Sequence, residues 1–342
     1  MTRHIPHRYF FPGVSGMVQS TGRIMTAEEI SFFHKEGYVV LDGVIPKEEL
    51  QPVIDQISGE IDKRARALFA AGKLTRQYEE EGFETRLARI SQETDKIALD
   101  IWNGFLHGPA IFHLIGNPNL VNIAEQLVGE EIIASSVYRL RPKIPNYGYG
   151  EVPWHQDSSY FEPYCDKSLV VTMWLPLVDA NEQNGCMWVM PGSHRSPVVR
   201  HRISENGKYL QIEPSEFPRT GHRFACPVRK GGVLLVTNRT AHASFKNKTD
   251  QVRWSMDLRY QNANLPTNAK VTRLQGDAQF DPENGVPIAC YPPEADFLVR
   301  SVRRPAEVVT DPERFRQIRE RHISIPVTDR FGLGYAAPVS AG

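Results

Sequence analysis

In the stretch VPWHQDSSYF, residues 152–161, an imidazole and a carboxylate stand two positions apart, at His155 and Asp157. On an extended strand, residues i and i+2 project to one face, so the pair can offer a nitrogen and an oxygen to one metal ion. Two donors do not make a centre. Non-haem ferrous oxygenases use two imidazoles and one carboxylate, with the remaining positions open, so a second His must arrive from a distant segment. The chain has 11 His, enough for a His-x-Asp to arise by chance, and alone the pair reads as part of a polar loop rather than as a metal site. His34-Lys35-Glu36 has the same spacing. It lies in a predicted helix, where i and i+2 diverge, and reads as a solvated helix face.

The candidate partner is His242, which ends the apolar run in GGVLLVTNRTAHASF. Beyond it, Arg253, Ser255, Asp257 and Arg259 share one face of a predicted strand over 252–261. A guanidinium is a natural fork for a carboxylate, so Arg253 can hold an acidic co-substrate, and the Ser255 hydroxyl can add a hydrogen bond. Arg259 is a candidate either for an anionic group of the substrate or for a structural ion pair. Tyr160 and Phe161 follow the first two donors and suit either a substrate wall or plain packing. His194, in PGSH, reads as a hairpin residue and not as a ligand.

Residues 1–25 read as an irregular arm. TAEEISFFHKEG predicts a helix with a capping box from Thr26 and Glu29 and a stop at Gly37. YVVLDGVI, 38–45, predicts a strand, and Pro46 opens a second helix whose true start is set later by Pro52. The charged stretch 73–100 reads as a solvent-facing helix or a mobile segment, and NPNLVNIAEQLVG, 117–129, as an amphipathic helix. From residue 131 the texture becomes strand-like, with β-branched and aromatic runs over 131–142, 168–178, 185–194, 231–245 and 252–261. Helices first and many short strands after predict a mainly β protein with N-terminal helices, a double-stranded β-helix of the jelly-roll, cupin-like type. The expected organisation is one domain over 26–342: a helical layer 26–130, a jelly-roll core 131–262 and an extension 263–342 with one helix, DPERFRQIRERH.

Taken together the motifs resemble the phytanoyl-CoA dioxygenase family of Fe(II)/2-oxoglutarate-dependent oxygenases. FFHKEGYVVLDGVIPKEEL is similar to its helix-strand-helix, PWHQDSSYF to its His-x-Asp segment, NEQNGCMWVMPGSHR to its Pro-Gly-Ser-His hairpin, and HASFKNKTDQVR to its distal His-to-Arg series. The resemblance runs from about Thr26 to Gln261, and the four pieces in this order are specific. It implies His155, Asp157 and His242 as iron ligands and Arg253 as the partner of the distal carboxylate of 2-oxoglutarate. It also implies Ser244 and Trp174 as lining the co-substrate pocket, with Tyr138 near a third such position. The implied cofactors are Fe(II), 2-oxoglutarate and O2, with ascorbate as the reductant in vitro. The implied reaction oxidises a C–H bond and releases succinate and CO2. Related halogenases have a small residue at the carboxylate position. Asp157 therefore points to hydroxylation, while desaturation, ring formation and epimerisation remain open with the same ligands.

The bulk composition narrows the partners. Forty basic and forty acidic residues balance, which gives no electrostatic reason to expect nucleic acid or an anionic membrane surface. No apolar run reaches the length of a span, and the N-terminal residues carry no apolar signal core. Cys165, Cys186, Cys226 and Cys290 form no CxxC pair, as suits free thiols in a reducing compartment. The expectation is a cytoplasmic monomer or homodimer acting on a small molecule. Two alternatives from other classes stand beside it: a non-catalytic jelly-roll binding protein, and a cupin-like zinc or manganese hydrolase or isomerase.

Overall fold

The structure is a computed structural model that describes residues 22–102, 104, 106–135, 138–146, 150–160, 168–204, 209–217, 221–265, 280–281, 286–287 and 296–324. The expected arm therefore lies mostly outside the described residues, as do Phe161, Cys165 and Cys290.

The helices are α1 (Ala27–Glu36), α2 (Lys47–Ala70), α3 (Arg86–Ile90), α4 (Lys96–Trp102), α5 (Pro109–Ile115), α6 (Pro118–Val128) and α7 (Pro312–Ser324). The Thr26/Glu29 capping box opens α1, and Gly37 closes it at φ 80°, a conformation that glycine adopts without steric cost. α2 starts at Lys47, ahead of Pro52 and not after it. Pro52 forfeits one backbone bond near the start, while Leu50, Val53, Ile54 and Ile57 bury the face that holds the helix in place. The 73–100 stretch is neither a single helix nor solvent-facing throughout. It contains α3 and the first part of α4, and Leu87, Ala88, Ile90, Ile97 and Ala98 are buried.

The strands are β1 (Tyr38–Leu41), β2 (Ile132–Ser135), β3 (Arg139–Lys143), β4 (Val152–His155), β5 (Val170–Pro176), β6 (Met187–Val189), β7 (His201–Ile203), β8 (Leu210–Ile212), β9 (Phe224–Cys226), β10 (Val233–Thr237), β11 (His242–Ser244), β12 (Arg253–Asn262), β13 (Phe280–Asp281), β14 (Val286–Pro287) and β15 (Asp296–Arg300). A larger antiparallel sheet runs β1-β10-β5-β12-β2-β15, with β3 also paired to β12. A smaller one runs β4-β11-β6-β9. From the extension, β15 completes an edge of the larger sheet and α7 packs Phe315 against α5.

Strand alternation divides the larger sheet into two faces. Val233 and Leu235 of β10, Val171, Met173 and Leu175 of β5, and Trp254, Met256, Leu258 and Tyr260 of β12 join the core shared with the helices. Their neighbours point the other way. Leu234, Val236 and Trp174 pack with Met187, Val189 and Cys226 of the smaller sheet. The two sheets therefore close face to face as a double-stranded β-helix. Both faces of the central strands are covered, which explains why VVTMWLP carries almost no polar residue. Cys186 and Cys226 are buried free thiols.

Candidate active site

The inner face of the larger sheet carries the polar residues that the outer face excludes. Arg253, Ser255, Asp257 and Arg259 lie along β12, and Thr172 and Trp174 lie beside them on β5, with Asp257 opposite Trp174 and Arg259 opposite Thr172. The smaller sheet supplies both imidazoles. His242 of β11 stands directly opposite His155 of β4 in the ladder, and the ring centroids are 4.2 Å apart.

Two expectations about local geometry change. Asp157 does not continue the strand of His155, because the chain turns after Gln156 and Asp157 begins a short 3-10 turn, Asp157–Tyr160. Ser158 N–H donating to the Asn238 carbonyl at 2.8 Å and Ser159 N–H donating to Gln156 at 3.0 Å hold that turn. His242 begins a strand of the facing sheet and does not end the apolar one. Thr237 to Ala241 form the crossing turn, with Thr240 N–H donating to the Thr237 carbonyl at 3.1 Å. The carboxylate thus reaches the imidazoles from a turn, across the gap between the sheets.

The three donors fit a single ion. One nitrogen of each imidazole and one Asp157 oxygen all lie within 4.8 Å of one another, and all three residues are buried. Nδ1 of His155 donates to the Pro153 carbonyl at 2.8 Å, and Nδ1 of His242 to the Thr240 carbonyl at 2.8 Å. Those bonds fix the tautomers and leave both Nε2 atoms to bind. They stand 3.5 and 3.8 Å from Asp157 Oδ1. The other oxygen, Oδ2, accepts from Thr172 Oγ1 at 2.7 Å and from Arg259 Nη2 at 3.2 Å. Burial by itself would push the Asp157 carboxyl up, but Arg259 and the adjacent imidazoles outweigh it and hold the carboxyl well below the usual carboxylate range. Burial lowers His242 to about 4, so the ring is neutral, as a metal ligand must be.

Arg253 is 2% exposed, and burial lowers it to about 10, so it stays charged at neutral pH. Its guanidinium touches two hydroxyls: Nη1 donates to Ser255, and Nη2 lies 3.4 Å from Ser244 Oγ. Its Cζ lies 5.2 Å from the centre of the Trp174 ring. A cavity lined by Trp174, Ser244, Arg253 and the three donors continues past Trp102, Arg141, Tyr160, Asp257 and Arg259. Among the residues expected here, Ser255 lies beneath Arg253 and does not line the cavity. Tyr160 lines it with its hydroxyl accepting from Leu210 N–H at 2.8 Å. Arg259 lines it too, directed at Asp157, which favours the ion-pair alternative over a substrate contact. Tyr138 is displaced: its hydroxyl donates to the Leu106 carbonyl, its ring stacks on Phe315, and it does not line the cavity. His34 is exposed on α1, and His194 packs its Nε2 on the His34 carbonyl at 3.0 Å.

Several participants escaped the sequence reading. Thr172 was accessible to it, since it lies two residues before Trp174 on the same face. Arg141 bonds Asp257 Oδ2 at 3.1 Å and lies 4.6 Å over the Trp102 ring. Gln156 braces the His-x-Asp segment: its backbone N–H donates to His201 Nε2 at 3.0 Å, and its side chain bonds Arg239 and Val199.

His201 and His242 make the metal-free protein acid-labile. Burial lowers each to about 4 from 6.5, so the unfolded chain binds more protons than the folded one between those values. Their contribution to stability is complete above about pH 6.5 and is lost as the pH falls toward 4. Thermal unfolding of chelator-treated protein should show a midpoint several degrees lower at pH 5 than at pH 7; equal midpoints would contradict the burial of neutral rings.

A double-stranded β-helix with this donor set and a buried guanidinium lining one cavity is the arrangement of 2-oxoglutarate-dependent non-haem iron oxygenases. The chain belongs to the phytanoyl-CoA dioxygenase family, whose model, described as Phytanoyl-CoA dioxygenase (PhyH), matches residues 33–255. A phytanoyl-CoA dioxygenase of Arabidopsis thaliana is 23% identical over 279 residues, covering 71% of this chain and 95% of that one. A probable alpha-ketoglutarate-dependent hypophosphite dioxygenase of Stutzerimonas stutzeri is 27% identical over 230 residues, 65% of this chain and 74% of that one. Among solved structures, the apo form of the non-heme monooxygenase ThoJ aligns with a TM-score of 0.49 and 18% identity over 80% of this chain and 83% of that one. No helix among the described residues is long and apolar enough to cross a membrane.

Proposed function

We propose that the protein hydroxylates an unactivated C–H bond of a small molecule, consuming O2 and 2-oxoglutarate and releasing succinate and CO2. One oxygen atom goes to the substrate and one to succinate, so the atoms balance. The observation that carries this reading is Arg253: a buried guanidinium whose hydrogen bonds go to hydroxyls, with no carboxylate in direct ion-pair contact among the described residues, on the same sheet face as the donor that neutralises Asp157. A buried charge is retained when something pairs it, and a dicarboxylate anchored at the metal would do so. The name of the Stutzerimonas relative supports the same co-substrate.

Bound ferrous iron would couple decarboxylation of the keto acid to the reduction of O2 and so oxidise the substrate. His155, Asp157 and His242 would hold it. Thr172 and Arg259 fix the Asp157 rotamer and draw off part of its charge, leaving Oδ1 directed at the imidazoles. Ser244 and Ser255 aim the Arg253 fork, and Trp174 walls the channel between fork and metal. Tyr160, Trp102 and Arg141 line the part of the cavity that the keto acid would leave for substrate.

The test is succinate release by the protein with Fe(II), ascorbate, O2 and 2-oxoglutarate across a broad small-molecule panel. A substrate should stimulate release, and 18O2 should label its hydroxyl. Metal-loaded protein that forms no succinate would favour a binding protein. An unsaturated, cyclised or epimerised product would keep the iron chemistry and replace hydroxylation.

A further inference from the structure

Arg253 is not alone. Directly opposite it in the β3/β12 ladder stands Lys143, a lysine only 1% exposed. Its Nζ donates to Ser244 Oγ at 2.6 Å and to the Phe245 carbonyl, and Ser244 Oγ in turn donates to the Gly185 carbonyl at 3.0 Å. Among the described residues no carboxylate lies within ion-pair distance of Lys143, and Glu151 acts on it only through space. The surroundings are built around this side chain. A Cβ on Gly185, whose φ is 80°, would collide with the Phe245 carbonyl and the Lys143 stem, and a Cβ on Gly150 would lie 3.1 Å from Lys143 Cγ.

Two buried basic side chains side by side, neither within ion-pair distance of a carboxylate among the described residues, oppose folding: burial and then Arg253 push Lys143 well below the usual lysine range, and Asp257 acts on Arg253 only through space. Burial costs each one solvation, and each raises the cost of the other. A pair of apolar residues would be the more stable choice. Such an arrangement persists where a ligand supplies the missing negative charge. Ser244 lines the cavity, stands within reach of Arg253 and takes its hydrogen bond from Lys143.

We propose that Lys143 is a positioning residue of the keto-acid site: acting through Ser244 and beside Arg253, it supplies the second positive charge that selects a ligand with a distal carboxylate. This rests on the keto-acid reading above and adds to it the source of dicarboxylate selectivity.

The experiment compares wild-type and Lys143→Met protein, loaded with Fe(II) without O2, by calorimetry with 2-oxoglutarate and with 2-oxopentanoate, which has the same keto-acid end and no distal carboxylate. Thermal midpoints of both proteins are measured without ligand. Lys143→Met should weaken 2-oxoglutarate binding about tenfold, the size expected for losing one charge-assisted contribution. It should leave 2-oxopentanoate within about twofold and the ligand-free midpoint unchanged or higher. Unchanged binding of both acids would overturn the proposal, as would an equal loss for both with a lower midpoint, which marks a packing role. Wild-type protein that does not prefer the dicarboxylate would instead overturn the keto-acid reading itself. If the Met variant does not fold, Lys143→Gln serves for the same comparisons.

Discussion

Asp157→Ala should reduce succinate release to background and, unlike a simple ligand deletion, should also destabilise the fold. From the sequence, the substitution is expected to leave the fold mostly intact. In the structure the carboxylate is buried and Arg259 Nη2 lies 3.2 Å from its Oδ2. Removing it leaves a guanidinium, 9% exposed, without its carboxylate, a change that costs roughly 3–5 kcal/mol. The remedy is specific. Adding Arg259→Met removes that buried charge and should return most of the lost stability in a denaturant titration while activity stays at background. If the single variant is as stable as wild type, the Asp157–Arg259 pair is not the buried ion pair described here. If it retains turnover, the ligand assignment is wrong.

The second large effect is at Arg253. Arg253→Gln removes a buried guanidinium that lines the cavity beside the three donors, and the KM for 2-oxoglutarate should rise about a hundredfold, as for the loss of one partner of a desolvated charge pair. Turnover at saturating 2-oxoglutarate should change far less, because the proposed role of the group is to bind the end of the molecule that does not react. The metal-free fold should tolerate the change, since Asp257, the carboxylate that acts on Arg253 through space, keeps its bond to Arg141. Succinate release measured against 2-oxoglutarate concentration checks it. A KM within threefold of wild type would remove the arginine from the co-substrate site.

How much of this was legible from the sequence depends on the kind of signal. Period-two alternation identified the Arg253-Ser255-Asp257-Arg259 face, because a strand cannot change that period without a bulge. The capping box and Gly37 located α1 for an equally local reason. The two donors in PWHQDSS were found, though by a strand argument that the chain does not obey beyond His155. What brings Asp157 back to the imidazoles is a turn bonded to Asn238, eighty residues on. The move of His242 to the facing sheet was written in Thr237-Asn238-Arg239-Thr240, a polar break after an apolar strand, which reads as a turn once it is looked for. Tyr138 sits in the core beside Phe315 with its hydroxyl on the Leu106 carbonyl, a placement that matching by position along the sequence does not reveal. Lys143 was invisible because hydropathy puts a lysine at the surface, and only three-dimensional contacts reveal one in the core.

The central claim is that His155, Asp157 and His242 hold one ferrous ion. Crystals grown anaerobically with Fe(II) test it directly, with the metal located by its anomalous scattering. The expected result is a single iron bound to Nε2 of both imidazoles and to Oδ1 of Asp157, with open positions on the remaining face. An iron found elsewhere, or one bound by only two of the three, would contradict it.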